Sequence, residues 1–441
     1  MKVLLISYYY PPMGGAGVQR ALKLSKYLGD FGVEPVVLAG HDPGYTRDES
    51  LLAEVPAGVR VLRIEHRSLM QRLLARRAAT VAPRSAAAPA AASRSPWLRD
   101  TLLGAYAATR FPDDQAGWAK RAFEPALALL RDERIELIFS TAPPMSAHAL
   151  AARLARRSGL PWVADYRDLW TDNPGYLAPG WRRAIDQRTE AAWLKRAAGV
   201  VTVTPSWQRQ FAQRLGAACP VVCIPNGYDE ADFERLPTER RSDGAFRLVH
   251  TGSFYGPRDP GTLLDGVAAY LRSAAPSARP LVLRLVGQMG SRFAERLARF
   301  DAEHPGVVEH RPYVPHHEAI AEMQSADALL LVVGAGQGSK HGAVVAGTLP
   351  GKLFEYLRAG RPILLLGDEQ GDAAQIVRHH AAGWIADEAS PERIALALHQ
   401  MMQPGPAPLP PATARADAFE RRALAGEMAQ FLRQRQVAHR G

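Results

Sequence analysis

Short apolar runs alternating with glycine-punctuated turns and helical stretches constrain this chain more than any other feature. Val3 to Ser7 is a continuous apolar run, and Tyr8 to Gly17 is a turn carrying Pro11, Pro12, Gly14, Gly15 and Gly17. Val18 to Leu28 then has helical periodicity, with Val18, Ala21, Leu22 and Leu28 on one face, and Val33 to Leu38 is apolar again. A run with no polar alternation suits a strand covered on both faces, and strand, turn, helix, strand is how a parallel α/β sheet begins. The same signal returns at Ile135 to Ser140, Pro161 to Ala164, Gly199 to Val203 and Pro220 to Ile224. It stops over the polar stretch Asn226 to Gly244 and restarts at Arg247 to Thr251, Leu281 to Val286, Val307 to His310, Ala328 to Val333 and Pro362 to Leu366.

Two such series need two cores. The chain has 441 residues, and single cores stop growing near ~250–300. The expected division is a first α/β domain over 1–235, a second over 236–412, and a last helix, about Ala416 to Arg433, within 413–441. Ala78 to Ala92 holds nine alanines and two prolines in fifteen residues, which reads as a surface insertion spanning about 67–98 of the first domain. The fold class is α/β, with two doubly wound, Rossmann-like domains and a cleft between them.

Net charge is +10, and it is concentrated. Between Arg60 and Arg99 there are nine arginines and one acid, Glu65. Such a patch suits an anionic membrane surface, or it is a solvated surface. No helix-turn-helix, zinc-finger or RNA-binding signature accompanies it, which argues against nucleic acid. No stretch reaches the ~18 apolar residues of a membrane span. Met-Lys-Val-Leu-Leu-Ile-Ser is too short an apolar run for a leader peptide, and Tyr8 to Pro12 stand where a cleavage site would be. The expected location is cytoplasmic, with peripheral contact at the inner face of the plasma membrane. Cys219 and Cys223 are the only cysteines, too few for a zinc site, and read as reduced thiols.

Several segments carry chemistry. Gly14, Gly15 and Gly17 lie between a strand and a helix, where glycine lets backbone approach a phosphate; a purely structural turn is the other reading. Ser140-Thr141-Ala142-Pro143-Pro144, with His148 four residues on, ends one strand, and Asp165-Tyr166-Arg167-Asp168-Leu169-Trp170 ends another. Charged groups at the carboxyl ends of parallel strands bind sugar hydroxyls or phosphates, or they form a buried ion-pair network that orients the loop. Thr251, Gly252 and Ser253 follow a strand in the second domain, with Arg258 close behind as a bidentate diphosphate partner.

The richest element is Pro350 to Pro362. Gly351 opens a helix whose N-terminus can face a phosphate, Lys352 adds charge there, and Leu353 shares the turn. Glu355 lies one turn in, where its two acceptor oxygens suit the two hydroxyls of a ribose. Gly360 ends the helix. An amphipathic surface helix with an exposed Lys-Glu pair is the alternative. The preceding loop, Gly334 to Thr348, is glycine-rich and carries Lys340 and His341. No Asp-x-Asp pair occurs in the chain, so a diphosphate would be held without metal, by arginine, lysine and helix dipoles.

On these residues the chain resembles the retaining GT-B glycosyltransferases of family 4, most closely the bacterial branch that builds cell-surface polysaccharides. Tyr10 to Gly15 (Tyr-Pro-Pro-x-Gly-Gly), Ser140 to Pro144 with His148, Asp165 to Trp170, Pro225 to Gly227, Thr251 to Tyr255 and Gly351 to Pro362 carry the resemblance. It implies an acceptor held mainly by the first domain and a nucleotide-sugar donor held by the second. It also implies a last helix that crosses back to the first domain, and transfer with retention in which the leaving phosphate helps take the acceptor proton. The site residues it implies are Arg258, Lys352 and Asp168 for catalysis. For the donor they are Gly14, Gly15, Gly17, Thr251, Gly252, Ser253, Lys340, Gly351, Leu353 and Glu355; for the acceptor they are Ser140, His148, Asp165 and Arg167. No metal and no cofactor are expected, and a lipid-linked saccharide is the expected acceptor. One departure stands out: the family often carries two glutamates separated by seven residues, and the first would fall at Gly347. Two other readings fit a similar frame: a sugar-nucleotide 2-epimerase, and a non-catalytic subunit that binds a sugar nucleotide.

Overall fold

Burial on both faces explains why the apolar runs are strands. In the computed structural model the first unit has a seven-stranded sheet in the order β3-β2-β1-β4-β5-β6-β7, and the second a six-stranded sheet in the order β10-β9-β8-β11-β12-β13. The strands of the first are β1 (Lys2–Ser7), β2 (Glu34–His41), β3 (Val61–Glu65), β4 (Leu137–Ala142), β5 (Trp162–Tyr166), β6 (Gly199–Thr202) and β7 (Val221–Cys223). Those of the second are β8 (Phe246–Thr251), β9 (Leu281–Val286), β10 (Val308–Arg311), β11 (Ala328–Val332), β12 (Ile363–Leu366) and β13 (Gly383–Ala386). Every pairing is parallel. The structure describes residues 1–66, 111–173, 176, 178–234, 243–254, 261–275, 279–333, 347–403 and 416–440. The alanine-rich insertion, Arg258, Lys340 and His341 lie outside these residues, as does the basic stretch beyond His66.

All eleven runs read as strands are strands. β3 and β13 were not read from the sequence. Both are edge strands, and both are half-buried: Val61–Glu65 includes Arg63, and Gly383–Ala386 opens on a glycine. The inner strands β4 and β11 are buried at every residue. Each wholly buried leucine, isoleucine or valine there stabilises the sheet by roughly 1.5–3 kcal/mol. The core of the second unit includes Leu248, Leu283, Leu330, Leu364 and Ile394 on one side of its sheet. Val249, Leu331, Leu365, Leu353 and Phe354 belong to the cluster on the other.

The chain divides into a first unit, 1–203 with 207–224 and 425–441, and a second, 204–206 with 225–424. The last helix is Arg421–Arg440, preceded by a 3-10 turn at Asp417–Phe419, so it starts later and runs further than the expected Ala416 to Arg433. Its residues from Ala425 onward pack within the first unit. Gly199 makes room for the Phe431 ring, where a Cβ would lie 2.7 Å from Cζ, and Gly426 accommodates Phe31 in the same way at 2.9 Å. Gln436 Nε2 donates to Glu136 at 3.2 Å and His439 Nε2 meets the Gly159 carbonyl at 2.8 Å. In the second unit, Gly227 passes so close to the Phe419 carbonyl that any side chain would collide with it, and Tyr228 N–H donates to that oxygen at 3.1 Å.

Cys219 and Cys223 are free, and burial pushes the Cys219 thiol up to about 11, leaving it an unreactive thiol. Among the described residues no helix is long and apolar enough to cross a membrane.

Candidate functional site

In a doubly wound sheet the strand order reverses at one point, and loops leaving the carboxyl ends of the two strands there diverge to opposite faces and open a crevice. That point lies between β1 and β4 in the first unit and between β8 and β11 in the second. The turn after β1, the Ser140–Pro144 segment, and the Thr251–Phe254 loop all leave these strand ends.

In the second unit, β8 ends at Thr251 and Gly252 turns with φ +129°, a conformation side chains resist. Gly252 is held from both sides: its N–H donates to Val286 O at 2.7 Å, and a Cβ on it would overlap the Lys352 ammonium. The missing side chain is therefore what brings the charge of Lys352 against the end of β8. His250 helps fix it. The His250 ring is buried and stacked on Phe254 at 4.2 Å. Its Nδ1 meets the Leu330 carbonyl at 2.9 Å, which makes Nδ1 the protonated nitrogen. Nε2 is then an acceptor, and it lies 3.5 Å from Lys352 Nζ.

Lys352 is the first residue of helix Lys352–Ala359, which Gly351 precedes and Gly360 closes in the left-handed conformation with φ +71°. Glu355 lies one turn in; its side chain is 20% exposed and its Oε1 is 3.6 Å from His316 Nε2, which also lies 3.5 Å from Asp232. Tyr356, next to it, faces inward. It accepts a hydrogen bond from Thr251 N–H at 3.0 Å and meets Thr251 Oγ1 at 3.2 Å, and burial pushes its phenol up to about 12. The helix is thus tied to the loop after β8. Leu353 is wholly buried, so its side chain belongs to the core. Ser253 is half-buried in the same loop. Gly347, where the resemblance expects a glutamate, is buried.

In the first unit, Gly15 has φ +89° and precedes helix Ala16–Tyr27. Gly14 N–H donates to Thr46 O at 2.9 Å, and the Gly17 carbonyl accepts from Arg167. Arg167 also donates to the carbonyls of Pro143 and Ala142, at 2.5 and 3.4 Å, so its guanidinium ties the start of helix Ala16–Tyr27 to the end of β4. Asp165 is wholly buried and receives Arg20 through two nitrogens, Nε to Oδ2 at 2.9 Å and a terminal nitrogen to Oδ1 at 2.7 Å. Thr141 donates to the same carboxylate at 2.6 Å. Ser140 and His148 are also wholly buried. Trp162 Nε1 donates to Ser140 Oγ at 2.7 Å, leaving the hydroxyl proton for His148 Nδ1 at 2.8 Å. Burial lowers the His148 imidazole to about 3, so the ring is neutral, and its Nε2 has no hydrogen-bond partner among the described residues. Asp168, by contrast, is exposed just past β5.

The sequence did not single out His250, Tyr356 or the aromatic pair Tyr9 and Tyr45. The rings of that pair lie 5.2 Å apart after β1 and β2, beside the buried Asp42 that accepts from Tyr8 at 3.3 Å.

Both units thus have a Rossmann-like sheet whose reversal point gathers the motif residues, which is the GT-B plan. Residues 14–227 match the model of the glycosyl transferase 4-like domain, and the chain as a whole has the GT-B fold. Sucrose-phosphate synthase from Thermosynechococcus elongatus has the same fold, with a TM-score of 0.61 at 16% identity over 99% of each chain. HepE from Anabaena, in complex with UDP, superposes with a TM-score of 0.55 at 14% identity, over 100% of this chain and 97% of that one. UDP-GlcNAc 2-epimerase from Methanocaldococcus jannaschii does so at 0.56 and 10%, over 98% and 100%. No curated protein sequence matches this chain.

Proposed function

We propose that the protein moves a sugar from a nucleotide-sugar donor to an acceptor with retention at the anomeric carbon and without a metal or cofactor. The observation that carries this is the Lys352 ammonium seated against Gly252, one helical turn from Glu355. A cation at a strand end and a helix N-terminus suits a diphosphate, and a carboxylate one turn deeper suits a ribose. That HepE is seen with UDP supports a nucleotide donor. As the bond from the anomeric carbon to the phosphate breaks, its electron pair goes to the leaving diphosphate. Lys352 and Arg258 offset the charge that develops, with Lys340 in the loop sequence before Lys352 as a further cation. The acceptor oxygen bonds to the anomeric carbon on the face the diphosphate leaves, and its proton passes to the leaving phosphate. Arg167 shapes the acceptor side, the buried Ser140, His148 and Asp165 hold that side in place, Asp168 serves the transfer itself, and Gly14, Gly15 and Gly17 let the backbone approach the donor phosphate. The acceptor is a lipid-linked saccharide of surface polysaccharide synthesis. The basic stretch Arg60 to Arg99 meets anionic lipid at the inner face of the membrane.

The test is turnover of a panel of sugar nucleotides with EDTA present. We expect product with inverted stereochemistry absent, and Lys352→Ala slower by about tenfold or more. A strict metal requirement, or an unchanged Lys352→Ala rate, would overturn the site assignment. The epimerase reading shares the fold and is separated by NMR of the donor alone, where an epimer at C2 would favour it. The binding-subunit reading rests on Gly347, and tight donor binding with no turnover on any lipid-linked acceptor would favour it.

A further inference from the structure

Large apolar side chains are seldom left in water without a reason, and two lie one turn apart on helix Gly180–Leu194: Trp181 is 60% exposed and Ile185 is 44% exposed. At about 100° per residue, Trp181, Ala184, Ile185, Arg188, Ala192 and Lys195 fall within an arc of about 100°, and all six are exposed. Charge is sorted across the same helix. Its two acids point inward: Asp186 is 1% exposed and bound to Arg182 at 2.7 Å, and Glu190 is 1% exposed and bound to Arg214 at 2.8 Å. The exposed charges, Arg188, Lys195 and Arg196, are all cationic.

We propose that this outer face is a membrane-docking surface that lies on an anionic phospholipid layer, with Trp181 and Ile185 entering the headgroup boundary and the cations meeting lipid phosphates. A tryptophan and an aliphatic residue on a face whose exposed charges are all arginine and lysine is the composition of a helix that lies in a membrane interface. An acidic protein partner would answer the cations but would not require an exposed tryptophan and isoleucine at the helix start. The inference rests on the reading that the protein works at an anionic membrane, and adds one helix to that contact beside the basic stretch Arg60 to Arg99.

The experiment is sedimentation of the full chain with vesicles of phosphatidylcholine containing phosphatidylglycerol, and with phosphatidylcholine alone. We expect the protein to pellet with the charged vesicles only. Trp181→Ser with Ile185→Ser, and separately Arg188→Glu with Lys195→Glu, should each lower the partition coefficient by about tenfold or more, with the thermal midpoint unchanged. Brominated lipid should quench the fluorescence of the unmodified protein more than that of Trp181→Phe. If both double variants pellet as the unmodified protein does, this inference falls and the membrane reading above stands. If the unmodified protein pellets with neither vesicle, both fall.

Discussion

The two sheets follow one plan but treat charge in opposite ways at the point where strand order reverses. In the first unit the charged side chains there are turned onto the protein itself. Asp165 is buried between Arg20 and Thr141, Arg167 is laced to three backbone carbonyls, and His148 is sealed against Ser140. In the second unit a glycine holds space for a lysine, and the neighbouring glutamate keeps a fifth of its surface in solvent. The first arrangement makes a rigid rim. The second leaves a cation and a carboxylate at the surface of a helix start, the pair assigned above by proposal to a diphosphate and a ribose. A charged residue at a strand end is therefore ambiguous until its partners are known, and the two halves of this molecule realise the two meanings.

The comparison breaks most readily at Asp165. If that carboxylate is structural, Asp165→Ala takes the countercharge from the buried Arg20 and lowers stability by about 3–5 kcal/mol in urea unfolding. A small loss, with binding or turnover affected instead, would move Asp165 to the ligand side. His148 sharpens the same point through pH. Its folded pKa, lowered by burial to about 3, lies below the unfolded value near 6.5. The unfolded chain therefore binds the extra proton first, and stability falls as pH drops from about 6.5 toward 3, by up to about 1.4 kcal/mol per pH unit. His148→Phe should flatten that part of the stability profile relative to the unmodified protein, and an unchanged slope would mean the ring is accessible.

Effects in the second unit should show in binding before stability. Glu355→Gln removes a charged acceptor and should weaken nucleoside diphosphate binding by about tenfold or more in calorimetric titration, with the melting temperature little changed. Equal affinity would make Glu355 a surface residue. Tyr356→Phe is the mildest change. It removes the acceptor of Thr251 N–H and should cost about 1 kcal/mol of stability, read by thermal unfolding.

Much of this was legible because burial on both faces writes itself into composition. Val3 to Ile6 and Ala328 to Val333 are apolar at every residue, and Leu281 to Val286 is broken only by Arg284. The edge strands Val61–Glu65 and Gly383–Ala386 were not legible, since one flank meets solvent and the run is diluted by Arg63 and Gly383. At the site, sequence order was enough to bring Thr251, Gly252, Gly351, Lys352 and Glu355 to notice, because each stands at the end of a strand or the start of a helix. It could not show that Gly252 makes room for Lys352, that His250 backs that lysine, or that Tyr356 ties the helix to the loop. Those relations join positions about a hundred residues apart and depend on which strands are neighbours. Nor could it separate Asp165, wholly buried, from Asp168, exposed, three residues later.

The last helix has a consequence for how the protein is made. The first unit's packing draws on residues 425–441, after about 200 residues that belong to the second. A ribosome adding ~5–20 residues per second needs roughly 10–40 s to cross that interval. Throughout it Gly199 and Phe31 await Phe431 and Gly426. The half that emerges first is thus the half completed last. A nascent chain arrested anywhere before the final helix should be more open to protease in its first unit than the released protein.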